Sequence, residues 1–173
     1  MSLVVLLGGA RAGKSTLALE FAARWEGPVT YIATAEARDE EMAARIERHR
    51  SERDQGWKTI EEPIALVEAL RGLDARDAAV VDCLTLWVAN LLERESGEDA
   101  IMADANAAAD LAAARSAPAI VVTNEVGLGI VPHTTAGRRY RDLLGAVNGA
   151  FVRRADEALL VVAGRALQLD RRP

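Results

Sequence analysis

The run Gly8-Gly9-Ala10-Arg11-Ala12-Gly13-Lys14-Ser15 has the spacing G-x-x-x-x-G-K-[ST] and lies between a strand-like apolar run and a helix-like one. In that setting each residue type has a chemical task. Glycines let backbone amides converge on phosphate oxygens, and a helix opening near Gly13 adds the positive end of its dipole. Lys14 is placed to neutralise β- and γ-phosphates, and the Ser15 hydroxyl to ligate Mg²⁺. Lys14 and Lys58 are the only lysines among the 173 residues, so a chance match to this spacing is remote. Val80-Val81-Asp82 ends another apolar run in a carboxylate, which makes Asp82 the candidate for the second Mg²⁺ contact.

A second chemical group lies in Met42-Ala43-Ala44-Arg45-Ile46-Glu47-Arg48-His49-Arg50, where Met42, Ile46 and His49 fall at i, i+4 and i+7 on one helical face. Arg45, Arg48, Arg50 and Arg53 surround His49 and disfavour its imidazolium, leaving a neutral ring with a free lone pair. Such a ring is a competent nucleophile, and the arginines could grip the phosphates of a nucleotide under attack. The residues alone leave this reading open beside a plainer one, an inert histidine on a solvated arginine-rich helix.

These residues need a frame. Apolar, β-branched runs recur at 3–7, 29–33, 78–83, 119–123 and 158–162, alternating with helical periodicity at 14–25, 38–53, 64–70, 85–94, 100–115 and 136–154. That alternation predicts an α/β fold, a mostly parallel central sheet with helices on both faces. Residues 164–169, of mixed polarity, fit a short antiparallel edge strand at the C-terminus. The alanine-rich 99–115 segment keeps a stripe of Ile101, Ala105, Ala108, Leu111 and Ala112, so it reads as a packed helix. No linker-like stretch or internal repeat divides the chain, and 1–173 reads as one domain.

Composition narrows the function classes. With 26 acidic and 21 basic residues the formal charge is −5, which supplies no broad basic field for nucleic acid. No apolar stretch reaches the roughly 18–20 residues of a membrane span, and the first residues lack a basic signal-peptide start, so a cytoplasmic protein without stable membrane insertion is expected. The single cysteine, Cys83, cannot form an internal disulfide and reads as a small buried residue.

Taken together, Gly8 to Ser15, Tyr31-Ile32-Ala33-Thr34-Ala35, Asp39-Glu40-Glu41-Met42, Arg45-Ile46 with His49, and Trp57 to Glu61 follow a known order. Further on come Asp82-Cys83-Leu84-Thr85-Leu86-Trp87, Asn90-Leu91-Leu92 and Asn124-Glu125-Val126-Gly127-Leu128-Gly129-Ile130-Val131-Pro132. Nearly end to end, the chain resembles the bifunctional adenosylcobinamide kinase/adenosylcobinamide-phosphate guanylyltransferases of cobalamin biosynthesis. The resemblance implies a P-loop NTPase-like fold, a homotrimer, and two reactions. A nucleoside triphosphate, ATP or GTP, phosphorylates the aminopropanol hydroxyl of adenosylcobinamide; GMP from GTP is then joined to adenosylcobinamide phosphate, releasing pyrophosphate and giving adenosylcobinamide-GDP. By the same likeness His49 carries the guanylyl group covalently, while Ala33, Thr34, Ala35, Arg50, Ser51, Glu52, Arg53 and Glu61 correspond to nucleotide contacts. A carboxylate at Glu61 can accept both hydrogen bonds of the guanine N1 and N2 edge, a role for which Glu62 competes.

Departures from the family pattern are few: Asn148-Gly149 stands for Asn-Gln, Gly164-Arg165-Ala166 for Gly-Leu-Pro, and Arg11-Ala12 for Arg-Ser inside the cradle. Asn124-Glu125 is either a substrate contact at the sheet's carboxyl edge or an ordinary turn. Arg138, Arg139 and Arg141 read as mostly exposed, His133 as surface, and Trp57 and Trp87 as packing residues. Two competing readings remain: a small-metabolite kinase in which His49 is structural, and a nucleotide-dependent switch that binds a partner protein.

Overall fold

A computed structural model describes residues 3–170. Its elements run β1 (Leu3–Gly8), α1 (Lys14–Ala22), β2 (Val29–Ala33), α2 (Glu40–Ser51), β3 (Lys58–Glu61), α3 (Leu66–Arg71) and β4 (Ala78–Asp82), then α4 (Leu84–Glu93), α5 (Glu98–Ala113), β5 (Ala119–Val122), α6 (Thr135–Arg154), β6 (Glu157–Val162) and β7 (Arg165–Gln168). One seven-stranded sheet has the order β3-β2-β4-β5-β1-β6-β7. Its first six strands are parallel, and β7 returns antiparallel to β6 at the edge. The α/β architecture and the C-terminal edge strand match the expectation.

The apolar runs form strands because both faces of the sheet are covered. In β1, Leu3, Val5 and Leu7 enter the core beneath α3 to α6, while Val4 and Leu6 enter the smaller core beneath α1. The same two-residue period divides Ala79 and Val81 from Ala78 and Val80 in β4. The alanine-rich helix α5 buries Ile101, Ala105, Ala108, Ala109 and Ala112 and packs against α3 and α6. Trp87 is fully buried and its indole N–H donates to the Ile64 carbonyl at 2.8 Å, so it is a packing residue.

Some boundaries differ for local reasons. Helix α2 starts at Glu40, two residues after the expected 38, because the Asp39 side chain accepts the Met42 N–H at 2.7 Å and caps it. Helix α1 ends at Ala22 instead of 25, where Trp25 N–H turns back to the Ala22 carbonyl at 3.0 Å. Strand β3 is absent from the strands expected on hydrophobic pattern. It is an edge strand, and of Lys58, Thr59, Ile60 and Glu61 only Ile60 is half-buried, so there is no apolar run to read.

The carboxyl ends of β1, β2, β4 and β5 lie on one edge, where parallel strands deliver the cradle loop, 33–36, Asp82 and Asn124 together.

Candidate functional site

Gly8 must approach the β6 backbone: a Cβ there would sit 2.2 Å from the Val161 carbonyl oxygen, and its φ of +149° suits glycine. Arg11 adopts φ 58° and Gly13, the N-cap of α1, φ 99°, so the chain wraps back on itself before the helix. Ala12 C=O accepts the Gly164 N–H at 2.9 Å, bracing the loop against the β6–β7 turn. Lys14 is buried, and its Nζ donates to the Gly9 carbonyl at 2.6 Å. Burial lowers the Lys14 pKa, and Arg45 adds to this, against the opposing pull of Cys83 and Asp82.

Asp82 ends β4 with a side chain only 10% exposed. Its Oδ2 accepts the Tyr31 hydroxyl at 2.6 Å, and His49 Nδ1 stands 3.7 Å from the same oxygen. Burial pushes the carboxyl pKa up, but His49, the Tyr31 hydroxyl and the Ser15 hydroxyl together outweigh it and hold the group below its ordinary value, ionised. Behind it, Thr34 Oγ1 donates to the Cys83 carbonyl at 2.7 Å and accepts the Cys83 N–H at 2.8 Å. Burial pushes the Cys83 thiol up to about 11, so it stays neutral and is a poor nucleophile.

These groups line one polar cleft of about 370 Å³, formed by Ala10 to Thr16 on one side, α2 on the other, and Asp82, Cys83, Val122 and Asn124 at its floor. Here Lys14, Ser15, Asp82 and His49 are brought together. The Ser15 hydroxyl hydrogen-bonds Asp82, so the two offer adjacent hard oxygen donors where the loop meets the floor. Among the described residues no cluster of three His, Cys, Asp or Glu could hold a metal by itself. That donor set fits a Mg²⁺ carried largely by triphosphate oxygens and water, with one or two protein ligands.

The nucleotide contacts expected by resemblance divide. Ala10 to Ser15, Glu52 and Asp82 line the cleft; Gly8 and Gly9 precede the lining residues of the same loop and are not among them. Thr34 does not reach a ligand: it is 0% exposed, its hydroxyl is committed to Cys83, its N–H donates to the Asp82 carbonyl and its C=O accepts from Asn90. Its contribution is to fix Asp82-Cys83, and Ala33 and Ala35 flank it outside the cleft. Arg50 is exposed, the Ser51 hydroxyl donates to the Arg48 carbonyl at 2.8 Å, and the Arg53 guanidinium stacks on the Tyr31 ring, 3.5 Å from its centroid. None of these three lines the cleft. Glu61 ends β3, also outside it. Glu62 Oε1 accepts the Ile64 and Ala65 N–H groups at 3.0 and 2.8 Å, so of this pair it is Glu62 whose carboxylate is committed.

Instead α2 presents Glu41, Ala44, Arg45, Arg48 and His49 to the cleft, with Glu52 at its C-cap. Spacing of 41, 45, 48 and 52 is a helical face that the sequence offers as clearly as the Met42-Ile46-His49 stripe. Asn124 lines the cleft too; its N–H donates to Thr85 Oγ1 at 2.8 Å and its C=O accepts from Asn148 at 3.0 Å. Arg138 is turned onto the Pro132 and His133 carbonyls, and Arg139 pairs with Glu98.

Comparison with known proteins agrees with this chemistry. The profile of the family described as cobinamide kinase / cobinamide phosphate guanyltransferase matches residues 4–169. A bifunctional adenosylcobalamin biosynthesis protein, CobP of Pseudomonas aeruginosa, is 42% identical over 172 residues, covering 98% of each chain. The corresponding CobU protein of Escherichia coli is 37% identical, covering 94% of this chain and 96% of that one. Among solved structures, the RadB recombinase aligns with a TM-score of 0.53 at 18% identity, covering 92% of this chain and 73% of its own. A type III secretion ATPase aligns equally well at 9% identity, covering 96% of this chain and 56% of its own. Those two report on the fold alone.

Proposed function

The chain belongs to the cobinamide kinase / cobinamide phosphate guanyltransferase family, and from that premise we propose that this cleft serves both transfers, with His49 as the covalent carrier in the second. It is a kinase and guanylyltransferase of adenosylcobalamin biosynthesis. In the kinase step the hydroxyl oxygen of adenosylcobinamide attacks the γ-phosphorus of a triphosphate lying in the 8–15 loop; the new O–P bond forms as the bond to the β-phosphate oxygen breaks, the nucleoside diphosphate leaves, and the hydroxyl proton passes to water. Lys14 and the loop amides hold the charge that spreads over the transferring group.

The observation that carries the second step is His49 facing Lys14 and Ser15 across the cleft while its Nδ1 stands 3.7 Å from Asp82 Oδ2. An Nδ1–H directed at Asp82 leaves the Nε2 lone pair as nucleophile. Nε2 attacks the α-phosphorus of GTP; the P–N bond forms as the bond to the pyrophosphate oxygen breaks, and pyrophosphate leaves. The terminal phosphate oxygen of adenosylcobinamide phosphate then attacks the same phosphorus, the P–N bond breaks, and the imidazole is restored. Arg45 and Arg48, on the cleft face of α2, neutralise the phosphates in both displacements. Mg²⁺ bound through Ser15 and Asp82 would supply charge neutralisation and in-line alignment of the triphosphate. Glu61 is the carboxylate assigned to guanine. The reading extends to the whole chain as one nucleotide-binding domain, undivided by linker or repeat, acting in the cytoplasm and, on the family resemblance, as a homotrimer. Among the described residues no helix is long and apolar enough to cross a membrane.

Incubation with [α-³²P]GTP and Mg²⁺ tests the reading. The wild type becomes labelled in an acid-labile, alkali-stable manner and His49→Ala does not, while His49→Ala still phosphorylates adenosylcobinamide. Equal label on both proteins, or none on the wild type, overturns the histidine assignment and leaves a kinase without a covalent intermediate.

A further inference from the structure

Helix α2 carries the nucleophile, yet none of its residues is buried and none belongs to either hydrophobic core. Only Met42, Ile46 and His49 of this helix are half-buried, so packing alone holds His49 loosely. Near the C-terminal end of α2 further side-chain contacts converge on one residue of the sheet, Tyr31. It lies mid-strand in β2, hydrogen-bonded into the sheet between Thr59 of β3 and Val80 of β4, and is 2% exposed. Its hydroxyl donates to Asp82 Oδ2 at 2.6 Å, the oxygen that His49 Nδ1 faces at 3.7 Å. Its ring receives the guanidinium of Arg53, which lies just beyond the end of α2, at 3.5 Å from the centroid.

The Arg53 contact is chiefly a stacking one. Among the described residues Arg53 Nε is buried without a hydrogen-bond partner, and Nη1 reaches Thr59 Oγ1 only at 3.4 Å. An arginine held there by hydrogen bonding would satisfy its Nε. A desolvated guanidinium flat on an aromatic face gains instead from the ring quadrupole. Tyr31 thus touches both the carboxylate that orients the imidazole and the cation that ends the helix bearing it.

We propose that Tyr31 is a positioning residue for guanylyl transfer: a rigid post in the sheet that aims Asp82 with its hydroxyl and docks the histidine helix with its ring. This rests on the assignment of His49 as the guanylyl carrier. The kinase step makes no use of His49 and shares with the post only Asp82 as a Mg²⁺ ligand; at saturating Mg²⁺ that shared contact is made good, so the two activities of one protein respond differently to loss of the post.

The test compares Tyr31→Phe, which keeps the ring and removes the hydroxyl, with Tyr31→Leu, which removes both. Initial rates of His49 labelling from [α-³²P]GTP and of adenosylcobinamide phosphorylation are measured at saturating nucleotide and Mg²⁺. A hydrogen bond to an ionised acceptor and a desolvated cation–π contact each correspond to a factor of roughly ten in rate. Labelling is therefore expected to fall about tenfold in Tyr31→Phe and about a hundredfold in Tyr31→Leu, while phosphorylation falls by less than about threefold in both. Retained kinase turnover shows that each variant is folded. Labelling at the wild-type rate in Tyr31→Leu, or equal losses in the two activities, overturns the proposal while leaving the His49 assignment intact. An unlabelled wild type overturns the His49 assignment, and the role of Tyr31 falls with it.

Discussion

Replacing Thr34 by valine tests whether the floor of the cleft is held by a single hydroxyl. Valine has nearly the shape of threonine, so the change opens no cavity and isolates the polar loss. The Thr34 hydroxyl, at 0% exposure, donates to the Cys83 carbonyl at 2.7 Å and accepts the Cys83 N–H at 2.8 Å. Without it the Cys83 N–H is left unpaired at about 1.5 kcal/mol, while the Cys83 C=O keeps the Trp87 N–H at 3.2 Å and loses only about 0.5 kcal/mol, a total of about 2 kcal/mol. For a chain of this size each kcal/mol moves Tm by about 2–4 °C, giving a fall of about 4–8 °C. Thr34→Ser keeps both hydrogen bonds and loses one buried methyl, worth about 1 kcal/mol, so its Tm falls by no more than about 4 °C. Because Cys83 adjoins Asp82, Thr34→Val also needs more Mg²⁺ for half-maximal kinase turnover than Thr34→Ser does. Urea and thermal unfolding of the three proteins, with a Mg²⁺ titration of kinase rate, measure all of this. A valine variant within about 1 kcal/mol of wild type, or a serine variant as unstable as the valine one, would refute the account of Thr34 as the brace of this floor.

Lys14→Ala removes the buried ammonium over the phosphate loop, and both kinase turnover and His49 labelling fall by more than about a hundredfold; steady-state rates near wild type in either assay contradict the cradle assignment. Arg48→Ala takes a guanidinium off the cleft wall and lowers kcat/KM for GTP in the labelling reaction by about tenfold, whereas Arg50→Ala, on the exposed side of α2, stays within about twofold; equal losses in the two variants would mean that α2 presents a different face.

How far the residues can be read from sequence depends on what surrounds them. Strands β1, β2, β4 and β5 are legible because each is buried on both faces, which forces a continuous apolar run. Strand β3 pairs on one side only and exposes Lys58, Thr59 and Glu61, so its place in the sheet comes from β2 and leaves no hydrophobic mark. The cradle is legible for a different reason. Its backbone demands are steep: the Val161 carbonyl oxygen lies 2.2 Å from where a Cβ on Gly8 would stand, and Gly13 has φ at +99°. Few residue types fit, and the motif states the geometry.

Thr34 and α2 mark where such inference stops, and for one physical cause. A threonine hydroxyl can serve a ligand or a buried backbone, and only the neighbouring β4 end, which brings Cys83 N–H and C=O within 2.8 Å, decides for the backbone. An amphipathic helix is oriented from its apolar stripe on the premise that a core lies beneath it. Under α2 the stripe finds no core: Met42 and Ile46 are only half-buried, so they turn this face inward without fixing the helix. Two further contacts hold its C-terminal end: the ionised Asp82 facing His49 and the Tyr31 ring under Arg53. A helix held this way keeps Arg45, Arg48 and His49 turned to the phosphate loop without committing them to a core. That is the arrangement a residue needs if it must first take a guanylyl group from one substrate and then surrender it to another in the same cleft.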